Sequence, residues 1–213
     1  MKVFKNLEIV VPDNRRGEFL KAVEAGLPSG WRRDREAEAR SPGLGAGSHT
    51  FFVCENQKKR LAALVALVSK DSSSLYVSNI VPRETGQLTY DQYNCILDDF
   101  GDTCISPIAK KMNIELRKSA DSESIEDWIT EDTAKKLLQF SALANKSTGT
   151  SHPCDKERWY DFIIAVVMDK ETLDASKLMR WLIEEDGWSE DVAQEMAIEF
   201  EQEVGLLKHY MGK

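Results

Sequence analysis

The feature that most constrains this chain is a change of character near its middle. Residues 1–119 alternate apolar stretches with polar turns and carry 18 Lys/Arg against 15 Asp/Glu, whereas residues 120–213 follow a helical period almost throughout and carry 10 against 21. A net of +3 beside a net of −11 implies two structural parts with different surfaces. The pattern predicts an α+β domain over residues 1–119, with a mainly antiparallel sheet and packed helices. A C-terminal four-helix domain over residues 122–213 follows it.

The 42% hydrophobic and 30% charged content leaves enough apolar residues for a core in an ordinary globular protein. No secretory leader is visible after Met1, because Lys2, Lys5 and Glu8 interrupt the apolar residues. The longest apolar run, Leu61–Val68, is too short to span a bilayer. Cys54, Cys95, Cys104 and Cys154 have no CxxC spacing, so reduced thiols and a cytoplasmic location are expected. His49, His152 and His209 have neither HxxxH nor HExxH spacing, so no metal site is expected.

Lys2–Val11 alternates and stops at Pro12, which predicts a strand. A helix capped by Asp13 or Asn14 runs to about Ala25, with Phe19, Ala22 and Val23 on one face and Gly26 and Pro28 as its stop. Trp31–Arg40 reads as a short charged helix or a strand, and Ser41–Ser48 as a loop. Thr50–Glu55, Leu61–Ser69 and Leu75–Val81, separated by turns at 56–59 and 70–74, predict an antiparallel meander. Ala62–Val68 is apolar at every position, which predicts a central strand covered on both sides. A helix from Thr89 to Phe100 should end at Gly101, with a short helix from Ser106 and a strand over Asn113–Lys118 after it. Four helices follow, over Thr130–Asn145, Asp155–Met168, Asp174–Glu185 and Ser189–Val204, with a low-complexity, mobile break at Ser147–Ser151. Trp128 and Trp188 each precede a capping hydroxyl, Thr130 or Ser189, and two acids.

The stretch Arg60–Phe100 resembles the middle of a GNAT-type acyltransferase. An antiparallel strand precedes Leu75–Pro82, and a loop Arg83-Glu84-Thr85-Gly86-Gln87-Leu88-Thr89 leads into a helix. In that family such a loop offers backbone amides to the pyrophosphate of acetyl-CoA, as open amides at a helix N-terminus can. Arg83–Gly86 matches the first half of the family's Q/R-x-x-G-x-G/A pattern. Leu88 stands in place of the second glycine, and Glu84 places a carboxylate beside the phosphate position. The resemblance implies a GNAT-like core, with Arg83, Gly86 and Thr89 as its cofactor residues and acetyl-CoA as its cofactor.

Arg15, Arg16, Arg32, Arg33, Arg35 and Arg40 form the densest basic set, but Asp34, Glu36 and Glu38 are interleaved with it and Trp31 is its one aromatic, which disfavours nucleic acid. Ser151–Trp159 is the string most like a motif. His152, Asp155 and Arg158 are its candidate catalytic residues, although Pro153 and Asp155 also suit a helix start. Asp98, Asp99 and Asp102 sit at an expected helix C-terminus, where acids need a basic neighbour such as Lys110 or Lys111. No catalytic or cofactor motif is complete. The expectation is a non-catalytic interaction protein of antitoxin, immunity or adaptor type, with no cofactor, binding a basic protein partner through the acidic half. A GNAT-like acyltransferase using acetyl-CoA at Val81–Thr89 is the alternative.

Overall fold

The computed structural model describes residues 1–40, 49–55 and 61–212. The loop expected at Ser41–Ser48 and the turn at 56–59 lie outside the described residues. The chain divides into two compact units, Lys2–Asp121 and Ser122–Lys213, the second including Met1.

The first unit holds strands β1 (Leu7–Val10), β2 (Trp31–Arg33), β3 (His49–Cys54), β4 (Ala63–Ser69), β5 (Leu75–Pro82) and β6 (Glu115–Lys118). They form one sheet in the order β2-β3-β4-β5-β1-β6. Every neighbouring pair is antiparallel. Helices α1 (Asp13–Ala25), α3 (Tyr90–Asp99) and α4 (Ser106–Met112) supply Phe19, Val23, Ile96, Leu97 and Ala109 to the core beneath Leu7, Ile9, Phe52 and Val65. Because those helices seal one face, Ala63, Val65 and Leu67 of β4 are buried, while Leu64 and Ala66 on the other face stay partly exposed. With Val68 beyond the bulge also buried, the second face of the strand is covered in part.

Trp31–Arg40 is a strand and a helix in succession, not one or the other. Asp34 separates β2 from α2 (Arg35–Ala39) because its carboxylate accepts from the Ala37 amide at 3.0 Å. No side chain caps α1, whose first turn instead carries an Asp13–Arg16 ion pair at 2.5 Å.

Gly101 does not end a helix. The chain continues through wide π-type turns over Phe100–Ile105 straight into α4. Gly101 is there for close approach, since a Cβ would lie 2.9 Å from Lys118 Cε. Lys118 crosses at that point to reach Asp102 at 2.6 Å and Asp98 at 3.5 Å. Lys5 also binds Asp98, at 2.7 Å, and the Trp31 indole donates to Asp99 at 2.8 Å. These partners, rather than Lys110 and Lys111, hold the three acids.

The second unit opens with a 3-10 turn at Ile125–Asp127, followed by α5 (Glu131–Leu143), α6 (Pro153–Met168), α7 (Ala175–Glu184) and α8 (Glu190–Met211). Its core stacks Phe140, Trp159, Phe162, Leu182, Trp188 and Phe200. Helix α8 runs seven residues past Val204, straight through Gly205, and a glycine inside a helix costs only about 1 kcal/mol. Neither Thr130 nor Ser189 caps its helix through its side chain. The Thr130 amide donates instead to Glu171 at 2.8 Å, and its hydroxyl to Thr133 at 3.1 Å.

Candidate functional site

Three places carry the candidate residues, and each is built by local geometry. The first lies where β1 parts from β5. The two strands pair only at Glu8–Tyr76 and Ile9–Leu75. Before Leu7 the chain turns away because Asn94 of α3, which is buried, acts as a strand mimic. Its carbonyl accepts from the Lys5 amide at 2.8 Å and its amide donates to Val3 O at 2.8 Å. Opposite, β5 carries a bulge next to Ala66–Leu67 and runs on to Pro82. Between them opens a cleft of about 610 Å³ lined by Phe4, Asn79, Val81, Gly86, Leu88 and Tyr93, among others. Phe4 packs against Tyr90 and Tyr93 at 4.4 and 4.8 Å between ring centres.

Of the phosphate-loop residues, Gly86 lines this cleft with φ +131°, a conformation suited to glycine. Thr89 is committed elsewhere. Its amide donates to Gln92 Oε1 at 2.9 Å and its hydroxyl accepts from the Gln92 amide at 3.3 Å, a reciprocal capping box. The Arg83 amide is spent on pairing with Ala62 O at 2.9 Å. Glu84 lines a smaller cavity of about 110 Å³ beside the loop. A phosphate would therefore meet a capped helix start and a nearby carboxylate.

The second place is the start of α6. His152 is its N-cap residue, and Nδ1 accepts from the Cys154 amide at 3.2 Å. Asp155 is buried and paired to Arg158 at 2.6 Å. The structure joins Asp155 to Arg158 but spends His152 on the backbone, so the three do not meet as one reacting group.

The preceding break is hydrogen-bonded back onto Asn145. The amides of Ser147, Thr148 and Gly149 all donate to Asn145, at 2.9, 3.0 and 2.9 Å. Thr150 and Lys156 then hold Glu199 at 3.1 and 2.5 Å. Further back, Lys146, Ser141 and the Trp188 indole converge on Asp186, with the indole at 2.7 Å and the ammonium at 3.1 Å. Burial opposes ionisation of Asp186, but these donors together hold its carboxyl below the ordinary carboxylate range. Sequence reasoning missed this group, since Ser141 and Lys146 lie 45 and 40 residues from Asp186 along the chain.

The third place is the acidic surface of the helical unit. Glu157, Asp161, Glu190, Asp191, Glu195 and Glu201 are exposed and form no ion pair among the described residues. The basic set of the sheet unit differs. Arg33 binds Glu38 and Glu24 at 2.7 and 3.1 Å, Arg35 binds Glu24 at 2.6 Å, and Arg16 holds the 69–74 turn. Most of that positive charge is thus neutralised within the unit.

Among the described residues no group of three His, Cys, Asp or Glu is placed to hold a metal ion, and no helix is long and apolar enough to cross a membrane. No family model, curated protein or solved structure matches the chain.

Proposed function

We propose that this is a non-catalytic interaction protein that binds a partner with a basic surface through its helical unit. The observation that carries the reading is the set of exposed acids on α6 and α8 that form no ion pair among the described residues, in the half of the chain with 21 acids against 10 bases. Like charges left unpaired on one surface repel one another, and an arriving basic surface relieves that repulsion and is steered by the same field. The acyltransferase reading keeps the cleft beside Gly86, but it loses the Thr89 amide to Gln92.

The test is recovery of the tagged full chain from its native cells, with mass spectrometry of what accompanies it. The expected result is a basic protein released by salt, and absent when Glu157, Asp161, Glu195 and Glu201 are changed together to Gln. Recovery of a CoA ester, or a partner retained by the quadruple variant, would overturn the reading.

A further inference from the structure

The helical unit carries a second surface feature beside its acids. Tyr160, Ile164 and Met168 occupy i, i+4 and i+8 of α6, one stripe of the helix, and are 43%, 49% and 60% exposed. They are large apolar side chains with no core to enter, because Trp159, Phe162, Ile163 and Val166 already fill the buried face.

Helix α8 lies alongside in parallel. Lys156 meets Glu199, 43 residues on, at 2.5 Å, and Trp159 meets Glu203, 44 residues on, at 2.7 Å. The same register brings Val167 to Met211, where a further cleft of about 350 Å³ lies. On α8, the stripe that begins with Glu199 and Glu203 continues into Leu206 and Tyr210, which are 68% and 77% exposed. Two parallel helices therefore present apolar residues side by side.

Acids frame this surface at one end. Glu157 and Asp161 belong to the exposed stripe of α6, and Glu199 and Glu203 border it on α8. Glu203 is poorly served: burial, reinforced by the charge on Glu199, pushes its carboxyl above the ordinary range despite the Trp159 indole. Among the described residues Lys156 is the cation beside this pair, and its Nζ goes to Glu199. Lys170 and Lys208 stand at the opposite end, near Met211.

We infer that the α6–α8 face is a docking surface for a basic amphipathic helix, which lays its apolar stripe along Tyr160, Ile164, Met168, Leu206 and Tyr210. Its lysines or arginines meet Glu157, Asp161, Glu199 and Glu203, and the half that passes Lys170 and Lys208 is free of basic residues. The apolar ridge supplies affinity by burial, and the acids supply direction and on-rate. An amphipathic helix fits because the ridge repeats at helical spacing on two parallel rods, an arrangement a third rod completes. This inference rests on the basic-partner reading and specifies its partner class.

The test measures fluorescence anisotropy of labelled synthetic peptides against the full chain. The probe is a Leu-striped helix of about 18 residues, roughly 27 Å long at the helical rise. Lys flanks the stripe in one half and Gln in the other. One control scrambles the leucines off a common face, and another replaces every Lys with Glu.

The Leu/Lys helix should bind about tenfold more tightly than the scramble, the equivalent of one good apolar anchor, and should weaken as salt rises. Ile164→Glu and, separately, Met168→Ser should each lower its affinity by a similar factor, with circular dichroism unchanged. Glu126→Gln, an acid removed elsewhere on the unit, should leave it unchanged. Equal binding of helix and scramble, with no effect of Ile164→Glu, would overturn the docking surface while leaving a basic partner in place. Binding of the Glu peptide as tight as that of the Lys peptide would overturn both. A dimer of the free protein dissolved by Ile164→Glu would assign the ridge to a second copy and overturn the inference.

Discussion

The two units handle charge in opposite ways. In the sheet unit, ion pairs fasten the architecture: Lys118 and Lys5 secure Asp98 and Asp102, Lys70 secures Glu8 at 3.0 Å, and Arg33 joins Glu24 to Glu38. In the helical unit, fewer cations are available and they serve local anchoring, as with Lys146 on Asp186 and Lys156 on Glu199. Glu157, Asp161, Glu190, Asp191, Glu195 and Glu201 are left facing solvent. Composition alone gives the surplus, but only the pairing shows where it is left over. That difference makes the helical unit the better place to look for a partner.

If the helical unit depends on its few buried polar anchors, disturbing the largest should cost most. Asp186→Ala removes the acceptor shared by Ser141, Lys146 and the Trp188 indole; the indole keeps Ser141 Oγ at 2.7 Å, but the buried Ser141 hydroxyl loses its acceptor and Lys146 its ion pair. A loss of about 3 kcal/mol is expected, the scale of removing a charged acceptor from buried donors. Urea unfolding would measure it, and a loss no greater than that of an exposed acid would end the claim of an anchored turn.

Gly149→Ala should come next. Its φ is +58°, and a Cβ would meet Met196 Sδ at 2.9 Å. Left-handed backbone at a residue with a side chain costs roughly 1–2 kcal/mol, and the flexible methionine can absorb part of the clash. By contrast Gly86→Ala in the sheet unit meets nothing within 4 Å, so its cost is confined to backbone conformation. Thermal unfolding of the pair tests whether the 145–151 turn is packed and the 83–89 loop open.

Much of the sheet unit was legible because its signals are local. Apolar runs bounded by polar turns placed β3, β4 and β5, and the helix face of Phe19 and Val23 followed from spacing. What failed was read from single residues whose role is set at a distance. Gly101 looked like a stop but makes room for Lys118. Thr130 looked like a cap, yet Glu171 takes over its amide. Of the candidate residues, the pairing of Asp155 with Arg158 and the start of α6 were readable three residues apart. The convergence on Asp186 joins residues that no local pattern connects. The ridge of Tyr160, Ile164 and Met168 was present in the spacing, hidden beside a stronger apolar stripe on the same helix.

The smallest expected effect, and the one most particular to the acidic unit, is a two-sided pH dependence. Glu203 has its pKa raised, chiefly by burial and then by the charge on Glu199, with Lys156 and the Trp159 indole acting the other way. A raised acid is disfavoured when ionised, so its unfavourable contribution is relieved as pH falls through the raised value toward the ordinary carboxylate range. Asp186 is shifted down, so its favourable contribution is intact above the ordinary range and is lost only as pH falls through its lower folded value. On acidification from neutrality the helical unit should therefore first gain slightly and then lose stability. Glu203→Gln, which keeps the shape and removes the charge, should raise stability at neutral pH and flatten the first limb only. Asp186→Asn should lower stability at neutral pH and flatten the second. Denaturant midpoints measured across the acid range would read both limbs. A first limb unchanged by Glu203→Gln would mean that the acid gain comes from the exposed carboxylates as a group. Raising the salt concentration should then erase that gain as fully as acid produces it.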